Sequence, residues 1–190
     1  MQRTELNENA LLGASSAAEK AFEAAFATKL QSVPEDEKLA WAMSAIIHCD
    51  QCRLLIAYDE CERDGIARLL WMADIVSKLH EAKRWYFNTG QKLLGQIALR
   101  KNCGQEYVKQ RIKELKKSHP IAPIDEYASY RNKFGYHYDP DALVYLDKFS
   151  KERADLFFDR LRTFSQFSHE WIKLTRALIA NELPNQTLGP

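Results

Sequence analysis

Three stretches place chemistry-capable side chains close together. They are His48-Cys49-Asp50-Gln51-Cys52 with Cys61 beyond, Tyr130-Arg131-Asn132-Lys133-Phe134-Gly135-Tyr136-His137, and the overlapping His137-Tyr138-Asp139-Pro140-Asp141. The second has the clearest chemistry. A neutral imidazole such as His137 takes a proton from a hydroxyl near neutral pH, because histidine titrates there. A guanidinium such as Arg131 grips two non-bridging phosphate oxygens and offsets the charge that builds in a transition state. Asn132 stands beside it, placed to position a phosphate or to hold the histidine tautomer. This set is suited to cleaving a phosphodiester that carries a neighbouring 2′-hydroxyl, and DNA, which lacks that hydroxyl, should be inert.

Spacing complicates the pair. On a straight α-helix, residues six apart lie about 120° round from each other and ~9 Å apart along the axis. Gly135 between them and the Asp139-Pro140 break beyond make a straight helix an unlikely carrier. A bend there brings the pair together. The competing account pairs Arg131 with Asp125 or Glu126 and packs His137 at a helix end.

The other two stretches have simpler explanations. Zinc needs four ligands converging on a tetrahedron, and only three cysteines lie near one another in the first stretch. Cys49 and Cys52 also fall on a helical stripe with Trp41, Ala45 and Ile56, where free cysteine packs as a small hydrophobe. In the third, Asp139 reads as a helix cap, Pro140 as the first helical residue and Asp141 as a first-turn acid, which needs no cation. No metal and no cofactor is expected. His80, His119 and His169 receive no role.

The elements that must carry these residues read as helices from end to end. Ala18, Phe22, Ala25, Phe26 and Leu30 recur at steps of three and four, predicting a helix over about 16–31. Pro34-Glu35-Asp36-Glu37 starts a second, which runs to about Arg63. A third begins at Ile66 and runs to about Asn88, with a continuation past Gly90 to Arg100. Its apolar residues nearly encircle it, which predicts a central position. Gly104 opens a polar helix to Ser118, and His119-Pro120-Ile121-Ala122-Pro123 breaks the chain. A further helix over Ile124 to about Tyr136 is disturbed by Gly135. The last, from about Ser150 to Leu183, carries Phe157, Leu161, Phe164, Trp171, Leu174 and Leu178 on one face. The expectation is one all-α domain over 1–190, an up-and-down bundle with long central and C-terminal helices and flexible tails at 1–15 and 184–190.

Composition agrees. A 190-residue chain is about one domain's worth, and 46% hydrophobic content supplies a sizeable core. Seven glycines and six prolines are too few for an all-β protein with a turn every ten residues. Four cysteines do not make a disulfide framework. The polar N-terminus resembles no signal peptide, and the longest charge-free apolar stretch, Leu39 to Cys49, is eleven residues where a span needs about 20. A reduced, cytoplasmic protein with no membrane partner is expected.

A net charge of +1 excludes coating nucleic acid by bulk electrostatics, but it hides an asymmetry. Residues 1–64 carry −6, residues 65–119 carry +8 and residues 120–190 carry −1. Within 100–119, Arg100, Lys101, Lys109, Arg111, Lys113, Lys116 and Lys117 face only Glu106 and Glu114, leaving +5 just before the Arg131 motif. Lys109, Arg111, Lys113, Lys116 and Lys117, with Lys133 in the motif, are candidate contacts to an RNA backbone. Tyr136 and Tyr138, flanking His137, are candidates to stack on unpaired bases.

The motif and its setting resemble a known family. Arg131, the polar Asn132 and His137 after five intervening residues, ahead of a long C-terminal helix in an all-α chain, are similar to the Arg-x4-6-His signature of the HEPN superfamily. The specific resemblance is confined to 131–137, with the helical architecture covering most of the chain. It implies a metal-independent endoribonuclease of a toxin–antitoxin or phage-defence system, with Arg131, His137 and Asn132 catalytic. It also implies 2′,3′-cyclic phosphate and 5′-hydroxyl products, and a homodimer that sets two motifs face to face. An antitoxin protein would be a further partner. Toxins of this kind with a nucleotidyltransferase-type antitoxin carry His-x-Tyr, whereas Tyr138 here directly follows His137. The same helices also occur as non-catalytic dimers that bind a protein partner or nucleotide, and this is the alternative reading.

Overall fold

The computed structural model describes residues 2–26, 32–61, 65–132 and 151–182, and every regular element among them is helical. The first helix, α1, spans Gln2–Phe26. It starts well before the expected Ser16, so the segment read as a flexible tail, 1–15, is helical from Gln2 onward. The reason is a stripe of small residues: Ala14 and Ala21 are buried and Ala17 and Ala18 half-buried, a pattern that lets backbones approach closely without large apolar side chains. The second tail expected, 184–190, lies outside the described residues.

The second helix, α2, spans Glu35–Glu60. The Pro34 carbonyl accepts from the amides of Glu37 and Lys38 at 3.1 and 3.2 Å, and the three acids that follow Pro34 meet the positive end of the helix. α3 spans Gly65–Trp85, a π-helical turn follows over Tyr86–Gly90, and α4 continues over Gln91–Arg100. As its encircling apolar pattern predicts, α3 is central: Leu69, Met72, Ala73, Ile75 and Leu79 are fully buried. α5 spans Gln105–Ser118, a 3-10 segment Ala122–Tyr127 and a single turn, α6 (Ala128–Tyr130), come next, and α7 spans Lys151–Ile179.

Ring contacts set the helix directions. Tyr58 near the end of α2 packs on Phe157 near the start of α7, and His48 lies against His169, so the two helices run antiparallel. α5 runs back along α4, with Gln105 bonded to the Gly95 carbonyl and Lys116 to Gln91. The core is strongly aromatic around the π turn. Tyr86 sits with its ring centroid 4.9 Å from that of Trp171 and 5.2 Å from that of Phe167, and its hydroxyl meets Ser168 Oγ at 2.8 Å. Gly90 belongs to this close packing. A Cβ there would come 2.9 Å from Trp85 Cζ3 and 3.0 Å from Trp171 Cζ2.

Charge locks the ends. Arg100 bridges Asp36 and the buried Glu37 at 2.8 Å each, Lys101 lies 3.4 Å from Glu37, and the start of α2 is thereby tied to the end of α4. α4 and α7 both stop on an asparagine in the left-handed region, Asn102 (φ 54) and Asn181 (φ 58). The amides of Cys103 and Glu182 then close back on Ala98 and Ala177, which satisfies carbonyls a helix end leaves open.

Candidate functional site

The segment that presents Arg131 winds unevenly. It begins as a 3-10 helix at Ala122, where Pro123 fits the first turn, passes through one α-helical turn and enters a π-helical turn at Arg131 and Asn132. Ile124, Tyr127 and Tyr130 anchor it in the core, with the Tyr127 ring 4.9 Å from that of Phe157. These anchors leave Arg131 half-buried and Asn132 exposed, and Arg131 Nε donates to Asn132 Oδ1 at 3.1 Å.

Asp125 does not take the guanidinium. It is held by Lys83 of α3, and no acid among the described residues pairs with Arg131. Asn132 therefore orients the arginine without cancelling its charge. His137, Lys133, Tyr136 and Tyr138 lie outside the described residues, as do Asp139 and Asp141, so the distance from Arg131 to His137 is not defined here.

The α5 cations are less free than their sequence implies. Lys109 pairs with Glu106 at 2.6 Å and Arg111 with Glu114 at 2.8 Å. Such exposed pairs are weak, worth about 0–1 kcal/mol, and phosphates can displace them. Lys116 is held more firmly. Its ammonium lies 4.1 Å above the Phe87 ring centroid and donates to Gln91 Oε1, and partial burial lowers its pKa. Lys113 and Lys117 are exposed. Arg100 and Lys101, counted in the basic run, are committed to α2.

α5 also stands apart from Arg131. Tyr107, Arg111, Leu115 and His119 line one groove with Glu170, Leu174 and Ala177 of α7, whereas the segment leading to Arg131 packs on Phe157. From Phe157 to Glu170 is about 20 Å along a helix. The structure thus does not bring the basic helix beside the arginine within one chain.

The cysteine stretch resolves into packing. Cys52 is buried against α7, and burial pushes its thiol pKa up to about 11, while Cys49, half-buried, is also raised, chiefly by burial. Among the described residues no cluster of three or more His, Cys, Asp or Glu is arranged to hold a metal ion.

Two features were not read from the sequence. His48 Nε2 lies 3.7 Å from Cys52 Sγ, its ring centroid is 5.5 Å from that of His169, and its Nδ1 is buried without a partner. Burial first, and the neighbouring His169 second, lower its pKa to about 4. No sequence signal links His48 to His169 across more than a hundred residues. The second is Gln51, buried on α2 with both amide atoms unpaired. Its spacing from Ile47 and Leu54, four and three residues, was the available signal for burial. Comparison of the chain with models of known protein families, with curated proteins and with solved structures finds no match in any of the three.

Proposed function

We propose that the chain is a HEPN-like, metal-independent endoribonuclease of a toxin–antitoxin or phage-defence system. The observation that carries this reading is the state of Arg131. It is half-buried at the end of a core-anchored segment in an all-helical chain, oriented by Asn132 and paired with no acid among the described residues. A guanidinium held in that state is ready to receive a phosphate. His137, six residues on in the sequence, supplies the base.

In the proposed reaction the imidazole of His137 takes the proton of a ribose 2′-hydroxyl, and the 2′-oxygen attacks the adjacent phosphorus. The bond from phosphorus to the 5′-oxygen breaks, and that oxygen leaves with a proton from solvent. Arg131 offsets the negative charge on the non-bridging oxygens. The strand ends left behind are a 2′,3′-cyclic phosphate and a 5′-hydroxyl. Lys113 and Lys117, exposed on α5, extend the path for the RNA backbone. Since α5 lies away from Arg131 in one chain, a homodimer that places α5 of one protomer near the motif of its partner would complete the site.

The test is incubation of purified protein with single-stranded RNA and single-stranded DNA of the same sequence in excess EDTA. RNA alone should be cut, with 2′,3′-cyclic phosphate ends. Cleavage of DNA, or loss of RNA cleavage on chelation, would overturn the reading.

A further inference from the structure

A cleft of about 470 Å³ opens between α2 and α3, far in sequence from the Arg131 motif. Met43, Ile47 and Leu54 wall it on one side, and Leu79, Ala82 and Trp85 on the other. Its size and apolar walls match those of sites for small organic ligands, which span roughly 300–1,000 Å³ and place a few polar groups within an apolar lining.

The polar group is Gln51. It lines the cleft yet is only 2% exposed, and neither its amide nitrogen nor its amide oxygen has a hydrogen-bond partner. Native cores seldom leave one buried polar atom unpaired, and here a donor and an acceptor are unpaired side by side. An apolar helix or peptide side chain laid in the cleft would cover its walls and leave both atoms as they are. The missing partner must itself present a donor next to an acceptor.

Charge at the mouth narrows the choice. Asp50 is held by Lys78 at 3.0 Å and by Arg53 at 2.7 Å, and Glu81 stands beside them. Two acids and two bases leave no net positive charge for a phosphate. We infer that the cleft binds a neutral, flat nitrogen heterocycle of the adenine type, as free base or nucleoside. The adenine edge carries the 6-amino donor beside the N7 acceptor, which a glutamine amide meets with two parallel hydrogen bonds. Trp85 supplies an aromatic face for the ring. This site is independent of the nuclease reading, since none of its residues lies in the motif.

The test is calorimetric titration of the full chain with adenosine into the millimolar range. Saturable one-to-one binding is expected, with AMP binding no tighter than adenosine. N6,N6-dimethyladenosine lacks the donor and 7-deazaadenosine lacks the acceptor, and each should bind about tenfold more weakly. Gln51→Leu should bind adenosine at least about tenfold more weakly while melting no lower than the parent, because it removes two unpaired atoms. Ala82→Leu leaves the amide in place and fills the cleft, so it should also abolish binding, and it decides the matter if Gln51→Leu does not fold. No saturable heat with adenosine, equal binding of all three nucleosides, or full binding by Ala82→Leu would each overturn the inference.

Discussion

Two layers of one core treat their buried polar atoms in opposite ways. At the π turn, the Tyr86 hydroxyl lies fully buried but meets Ser168 at 2.8 Å, and burial raises its pKa well above the usual phenol value. Trp171 Nε1 is that layer's exception. In the middle of α2, by contrast, His48 Nδ1 and both amide atoms of Gln51 are buried without partners. A satisfied polar group fixes the position of its neighbours, whereas an unsatisfied one costs about 1–3 kcal/mol. The aromatic layer is therefore where the fold is specified, and the middle of α2 is where stability has been given up and where a ligand or a proton can act.

The largest expected effect is on acid stability. His48 titrates near pH 6.5 in the unfolded chain and near 4 in the folded one. Between those values the unfolded chain binds a proton that the folded chain does not, so stability is complete above pH 6.5 and falls as pH drops toward 4. The full loss is up to about 3 kcal/mol. In His48→Gln, denaturant unfolding measured from pH 7 to 4.5 should lose most of this slope. Identical slopes in variant and parent would place His48 outside the acid response.

Next comes Gly90→Ala. The added Cβ would press on Trp85 and Trp171, and the overpacking outweighs the usual helical preference for alanine. A net loss of about 2 kcal/mol is expected, read as a fall in Tm of roughly 4–8 °C. An unchanged Tm would mean that this layer is less tightly packed than the ring contacts indicate. Tyr86→Phe is the smallest change. Ser168 loses its partner but can turn to a carbonyl of its own helix, so the cost should be about 1 kcal/mol. A much larger loss would assign the hydroxyl a role beyond packing.

The helices were legible where large apolar residues recur at helical spacing. The α7 stripe from Phe157 to Leu178 and the encircled α3 are examples, as is the break at His119-Pro120. α1 began earlier than expected because its buried stripe is alanine, which carries little hydrophobic signal yet allows close packing. The π turn at Tyr86–Gly90 had no signal of its own. Nothing in Tyr-Phe-Asn-Thr-Gly marks a widened turn, which is set by how Tyr86, Trp85 and Trp171 must fit together. At the candidate site, the choice of Arg131 and Asn132 came from the motif, but their mutual hydrogen bond and the capture of Asp125 by Lys83 depend on helix packing that spacing does not encode. The basic run misled in part, because the formal count of +5 ignores that Arg100 and Lys101 are tied to α2 and that Lys116 lies over Phe87.

The central claim is that Arg131 and His137 act together on RNA. The most direct measurement compares cleavage of single-stranded RNA in EDTA by the parent, Arg131→Ala and His137→Ala, with circular dichroism and Tm recorded for each. The account predicts that both variants lose cleavage by at least about 100-fold while keeping the helical signal and melting point. Parental cleavage by either variant would contradict it.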